Sequence, residues 1–99
     1  MTQDEYIQSI IKPPNPYLDT LLKEESLRKD VCPSIGPHIG NLVSFLVELL
    51  KATRVVEFGT CLGYSTICLA QSLEKTRGKL ISIESSPRLV EETKKNVYK

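Results

Sequence analysis

A chain of 99 residues, 40% hydrophobic and 25% charged, has the make-up of one small soluble globular unit or a piece of a larger one. Thirteen basic against twelve acidic residues leave a formal net charge of +1, which gives no electrostatic reason to expect nucleic acid or an anionic membrane as partner. The polar, acidic start from Met1 to Glu5 is not a secretory signal and no apolar run reaches membrane-spanning length, so the expected location is the cytoplasm.

A first helix is predicted over residues 3–11, stopped by Lys12-Pro13-Pro14-Asn15-Pro16, which cannot continue it. A second is predicted over residues 17–29, with Leu18, Leu21, Leu22 and Leu27 near one face. Residues 30–37 hold two prolines and Gly36 and read as a loop. Ile39, Leu42, Val43, Leu46, Leu49 and Leu50 then fall at helical spacing, predicting a core-facing helix over residues 37–51. Arg54-Val55-Val56-Glu57-Phe58 suits a strand buried on both faces, as in a parallel sheet.

A tight turn over residues 59–63 leads into a helix over residues 64–75, with Ile67, Ala70 and Leu73 inward. Gly78 lies where a left-handed residue would close that helix. Lys79 to Ile83 is a second strand. Ser86 caps a last helix that has Pro87 in its first turn and Glu91 and Lys95 as an i,i+4 pair. Its basic residues Lys94 and Lys95, with Lys99, are offset by Glu91 and Glu92 and read as a solvated face. The three cysteines, Cys32, Cys61 and Cys68, form neither an even framework nor a CxxC pair and read as reduced thiols.

Helix, strand, glycine turn, helix, strand, helix is a βαβ unit with a right-handed crossover, so the fold class is α/β. Two parallel strands make no stable sheet alone, and the first strand keeps an edge of unpaired backbone groups. The sheet is therefore expected to be incomplete. Residues 1–36 read as an N-terminal helical segment and loop, and residues 37–99 as the first half of a nucleotide-binding-type domain.

The chemistry concentrates in Glu57-Phe58-Gly59-Thr60-Cys61-Leu62-Gly63-Tyr64-Ser65, at the carboxyl end of the first strand, where open parallel sheets bind ligands. Gly59 and Gly63 allow a sharp turn and a close backbone approach. Glu57 decides what kind of ligand. A carboxylate beside a helix N-terminus repels a pyrophosphate. It attracts the sulfonium and ammonium of S-adenosylmethionine, which has no phosphate. The bland alternative for Glu57 is a salt bridge or a helix-capping role. Glu84 closes the second strand, where an acidic side chain can accept both ribose hydroxyls of a nucleoside. Ser65 also suits a helix start on structural grounds alone. His38, after Pro37, reads as a surface or capping histidine rather than a base.

The stretch from Val55 to Thr66, with Gly78-Lys79-Leu80-Ile81-Ser82-Ile83-Glu84, resembles the S-adenosylmethionine-dependent O-methyltransferases of the catechol and caffeoyl-coenzyme A type. The pattern E-x-G-x-x-x-G-Y-S is matched at every fixed position. The wider class I methyltransferase pattern has a further glycine where this chain has Cys61, a departure shared with the catechol branch. The resemblance implies the N-terminal half of a Rossmann-like methyltransferase fold that binds S-adenosylmethionine.

It assigns Glu57 and Gly59 to the methionine end of the cofactor, Tyr64 and Ser65 to its carboxylate side and Glu84 to its ribose. Thr60, Cys61 and Gly63 would line the turn. Cys32-Pro33-Ser34-Ile35-Gly36 resembles the loop covering the cofactor. It further implies a divalent metal, but its carboxylate and amide ligands, and the lysine that helps deprotonate the acceptor, lie beyond the third strand, with nothing in these 99 residues to match them. The expectation is thus the cofactor-binding portion of an enzyme that methylates a small hydroxylated acceptor, as a truncated or split chain with no catalytic residue of its own. A different class of reading is a non-catalytic module completed by a partner chain or a self-dimer through the exposed sheet edge. An NAD-dependent oxidoreductase fragment is disfavoured by Glu57 and by the missing GxGxxG spacing.

Overall fold

The structure is a computed structural model and describes residues 2–10, 15–31 and 34–98. Its elements run α1 (Gln3–Ile10), α2 (Pro16–Leu27), α3 (Gly36–Leu49), β1 (Arg54–Phe58), α4 (Tyr64–Thr76), β2 (Lys79–Ile83) and α5 (Pro87–Val97). Both strands have the bounds their composition predicts. They pair in parallel, Arg54 opposite Lys79 through Phe58 opposite Ile83.

Local chemistry sets most of the boundaries. Asn15 caps α2 by accepting the Tyr17 amide at 2.9 Å, with Pro16 pre-set in the first turn. Ser86 caps α5, its hydroxyl accepting the Leu89 amide at 3.5 Å. α2 ends two residues short of expectation because Arg28 turns extended and sends its guanidinium to Asp30 at 2.6 Å and Glu92 at 3.0 Å. Asp30 also receives Arg88 at 2.5 Å, so the segment after α2 is tied to α5 by alternating charges. Lys12, Pro13 and Pro14, expected to break α1, lie outside the described residues.

At the end of α4 the left-handed residue is Arg77, with φ 57°, not Gly78. The amide of Gly78 donates to the Leu73 carbonyl at 2.9 Å, closing the helix. Gly78 is glycine for space. A Cβ there would fall 2.5 Å from Leu73 Cδ2 and 2.9 Å from the Thr53 backbone.

The core joins α2 and α4, with Leu18, Leu21, Leu62, Tyr64, Ile67 and Cys68 buried together. Leu27, expected on the same face of α2, is exposed. α3 packs on α4 through Pro37, Gly40 and Val47, and the Ser44 hydroxyl donates to the Cys68 carbonyl at 3.3 Å. That face differs from the expected one. Leu42, Leu46, Leu49 and Leu50 are exposed, and Ile39 and Val43 only half-buried. The small Gly40 lets α3 approach Tyr64 and Cys68 closely, and this contact overrides the leucine periodicity. α4 covers the sheet face that carries Glu57 and Ser82. On the opposite face Val56, Phe58, Ile81 and Ile83 stay exposed, so the strands are not buried on both sides as expected. On α5 the ion pair is Glu91 with Lys94 at 3.7 Å rather than with Lys95, which the helix places one position further round.

A candidate cofactor site at the glycine turn

β1 ends where Gly59 adopts φ 87° and donates its amide to the Ile83 carbonyl of β2 at 2.7 Å. The chain then doubles back, with Cys61 at φ 50° and Gly63 at φ 101°. The Gly63 amide donates to the Thr60 carbonyl at 2.8 Å. A Cβ at Gly59 would meet nothing within 4 Å, so this backbone borders open space. Cys61 holds a left-handed conformation without being glycine, at a cost of about 1–2 kcal/mol. Surrounding bonds must therefore hold the turn in place.

Glu84 supplies part of that hold. Its Oε1 accepts the amides of Thr60 at 3.0 Å and Cys61 at 3.2 Å, and its Oε2 accepts the Ser86 amide at 3.1 Å. These amides, Ser86 foremost and then Thr60, stabilise the ionised carboxylate and lower its pKa from the ordinary carboxylate value. The Ser85 amide is a further donor to this carboxylate, and Oε1 also lies 3.4 Å from the Thr60 hydroxyl. Glu57 is only 8% exposed beneath the turn. Its Oε1 accepts the hydroxyls of Thr66 at 2.5 Å and Ser82 at 2.9 Å, and its Oε2 accepts that of Ser65. Three hydroxyl donors from α4 and β2 thus satisfy a buried charge, which otherwise could not be accommodated.

The other side of the turn rests on α5. The Thr93 hydroxyl donates to the Cys61 carbonyl at 2.9 Å and lies 2.8 Å from the Thr60 hydroxyl, which also reaches Glu84 Oε1 at 3.4 Å. Asn96 Nδ2 donates to the Leu62 carbonyl at 2.7 Å, while its Oδ1 accepts the Tyr17 hydroxyl of α2 at 2.9 Å. Thr93 and Asn96 are each 7% exposed. Sequence reasoning missed all three residues. Their only local signal is the i,i+3 spacing of Thr93 and Asn96 on a helix otherwise read as solvated.

Of the predicted residues, the structure brings Glu57, Gly59, Thr60, Cys61, Gly63, Ser65 and Glu84 together at one turn. Tyr64 begins α4 beside them, but its ring points into the core at 1% exposure against Gly40 and Cys68. Its hydroxyl has no hydrogen-bond partner among the described residues, and burial raises its pKa. Burial likewise pushes the Cys68 thiol up to about 11. Ser65 spends its hydroxyl on Glu57. What Tyr64 and Ser65 offer a ligand is therefore their backbone amides in the first turn of a 13-residue helix, a natural site for an anion.

Ser34, Ile35 and Gly36 lead into α3, whereas Cys32 and Pro33 of the expected covering loop lie outside the described residues. Among the described residues no group of three or more His, Cys, Asp or Glu is placed to hold a metal ion. Glycine backbone facing open space, helix amides and two oriented carboxylates do fit a ligand that carries a carboxylate, a cationic centre and a ribose.

Residues 2–99 match the model of the family described as protein-L-isoaspartate(D-aspartate) O-methyltransferase (PCMT). A catechol O-methyltransferase of Niastella koreensis is 38% identical over 64 residues, which cover 65% of this chain and 28% of that protein. Among solved structures, the O-methyltransferase of Bacillus cereus in complex with SAH superposes with a TM-score of 0.76 at 26% identity, covering 96% of this chain and 43% of its own. TomG of Streptomyces achromogenes, an O-methyltransferase of tomaymycin synthesis in complex with SAM, gives 0.77 at 26% identity, covering 99% and 47%. The chain thus spans under a third of that curated relative and under half of those solved structures. Among the described residues no helix is long and apolar enough to cross a membrane. By its match over residues 2–99, the chain belongs to the protein-L-isoaspartate(D-aspartate) O-methyltransferase family.

Proposed function

We propose that this chain provides the S-adenosylmethionine-binding portion of a cytoplasmic O-methyltransferase whose acceptor is a small hydroxylated molecule, and that a further polypeptide segment completes the acceptor site. The observation that carries the reading is the open, left-handed Gly59 between two carboxylates, Glu57 and Glu84, each fixed by several donors. Bound S-adenosylmethionine would supply an electrophilic methyl group for in-line displacement by an acceptor oxygen.

The chain's own residues bind and orient. The first amides of α4 receive the ligand's carboxylate, helped by the helix dipole. Glu57 places a buried negative charge under the turn and favours the cationic end over any phosphate. Glu84, just after β2, offers its carboxylate to a ribose hydroxyl while Oε1 keeps holding the turn. Such positioning removes much of the entropic barrier to a two-substrate reaction.

The family's name favours a second acceptor, the carboxylate of an isoaspartyl residue, through the match over residues 2–99. Isothermal titration of the chain with S-adenosylmethionine and with NAD tests the cofactor. Saturable heat from the first and none from the second is expected, and the reverse sinks the proposal. Transfer of a labelled methyl group to a catechol or to an isoaspartyl peptide separates the two acceptors.

A further inference from the structure

We infer that Thr93, Asn96 and Tyr17 are positioning residues of the cofactor turn: through two carbonyl contacts from α5, one of them oriented from α2, they set the direction in which the turn presents its amides. The inference rests on the cofactor reading above. None of the three needs to touch the ligand.

The Cys61 and Leu62 carbonyls both face α5, where Thr93 and Asn96 donate to them at 2.9 Å and 2.7 Å. All peptide bonds among the described residues are trans, and in a planar trans peptide the N–H points opposite to the C=O. Pinning the Cys61 carbonyl to α5 therefore aims the Leu62 amide away from it. Pinning the Leu62 carbonyl does the same for Gly63, whose amide closes the turn on Thr60. The left-handed Cys61 is strained, and other peptide orientations compete unless both carbonyls keep their donors.

Each donor is chemically specified. A carbonyl only accepts, so Asn96 must present Nδ2 to Leu62 and leave Oδ1 for a donor. The Tyr17 hydroxyl, 79 residues away, is that donor and holds the amide plane in place. Thr93 must donate to Cys61, which a hydroxyl can do and a methyl group cannot. Gly63 completes the fit, since a Cβ there would fall 3.3 Å from Thr93 Cγ2.

The test is isothermal titration of the full chain with S-adenosylmethionine, paired with thermal melting of each variant. Tyr17→Phe, Asn96→Asp and Thr93→Val are each expected to weaken binding about tenfold, the size of one buried hydrogen bond lost with its partner left unpaired. Thr93→Ser keeps the hydroxyl and is expected to restore binding to within about twofold of wild type. Val47→Ala, in the α3–α4 contact away from the turn, is expected to lower the melting temperature and leave affinity unchanged well below the melt. Wild-type-like binding by Tyr17→Phe and Thr93→Val overturns the inference, as does an affinity loss in Val47→Ala equal to theirs. No binding by the wild-type chain would instead overturn the cofactor reading, and this inference with it. Should Asn96→Asp fail to fold, the Tyr17→Phe result and the Thr93→Ser and Thr93→Val pair decide.

Discussion

Glu57, next to last in β1, and Glu84, just after β2, lie at the same end of the parallel pair, yet their surroundings divide their tasks. Glu57 is buried among three hydroxyls. Its replacement by Gln keeps the shape and removes the charge, so S-adenosylmethionine affinity is expected to fall by about 1–3 kcal/mol. Calorimetry checks this, and unchanged affinity would return Glu57 to a purely structural role.

Glu84 instead holds backbone amides, which lower its folded pKa from the ordinary carboxylate value. A depressed folded pKa means that the stabilisation is fully present above the unfolded value and is lost as pH falls through the folded one. Denaturant melts at stepped pH are expected to show wild-type stability declining as pH falls through and below the ordinary carboxylate range. In Glu84→Gln that decline should be shallower, on a baseline about 1 kcal/mol lower at neutral pH. These two carboxylates and the glycines were legible in the sequence because each is a local demand on a few adjacent residues. Thr93, Asn96 and Tyr17 were not, since their partners lie 32 to 79 residues away by number and no local pattern announces a long-range hydrogen bond.

At the scale of elements, the strands and most of the helices were readable from residue type and capping chemistry. Both strand bounds and the start of α5 at Ser86 follow from it. The packing face of α3 was not readable. Leucine spacing shows which residues are apolar, whereas the face that packs depends on what the neighbouring helix offers, here Tyr64 and Cys68. Gly40 decides the contact. A Cβ there would lie 3.1 Å from Cys68 Sγ and 3.2 Å from Tyr64 Cε1, and both side chains are fully buried and cannot yield. Overpacking of about 1–3 kcal/mol outweighs the gain of about 1 kcal/mol in helix propensity, so Gly40→Ala is expected to be net destabilising by about 1 kcal/mol. Combined with Cys68→Ala, which removes the sulfur, the penalty should shrink. A double-mutant cycle by chemical denaturation measures it, and strictly additive effects would mean the two positions do not meet.

Across the whole molecule, one face of the sheet is covered by α4, while Val56, Phe58, Ile81 and Ile83 form an open apolar surface, with Phe58 80% exposed. The outward leucines of α3 add a second apolar stripe. Exposed apolar surface of this kind drives association. Sedimentation equilibrium is expected to show a concentration-dependent shift above monomer mass, reduced in Phe58→Ser; a monomer at all concentrations would contradict this.

The central claim is that the turn from Gly59 to Ser65 binds S-adenosylmethionine, and amide-resolved nuclear magnetic resonance titration tests it most directly. Saturable shifts confined to the turn, the first residues of α4 and the neighbourhood of Glu84 are expected, with no such response to NAD. Shifts scattered over the exposed sheet face, or none at saturating ligand, would contradict it.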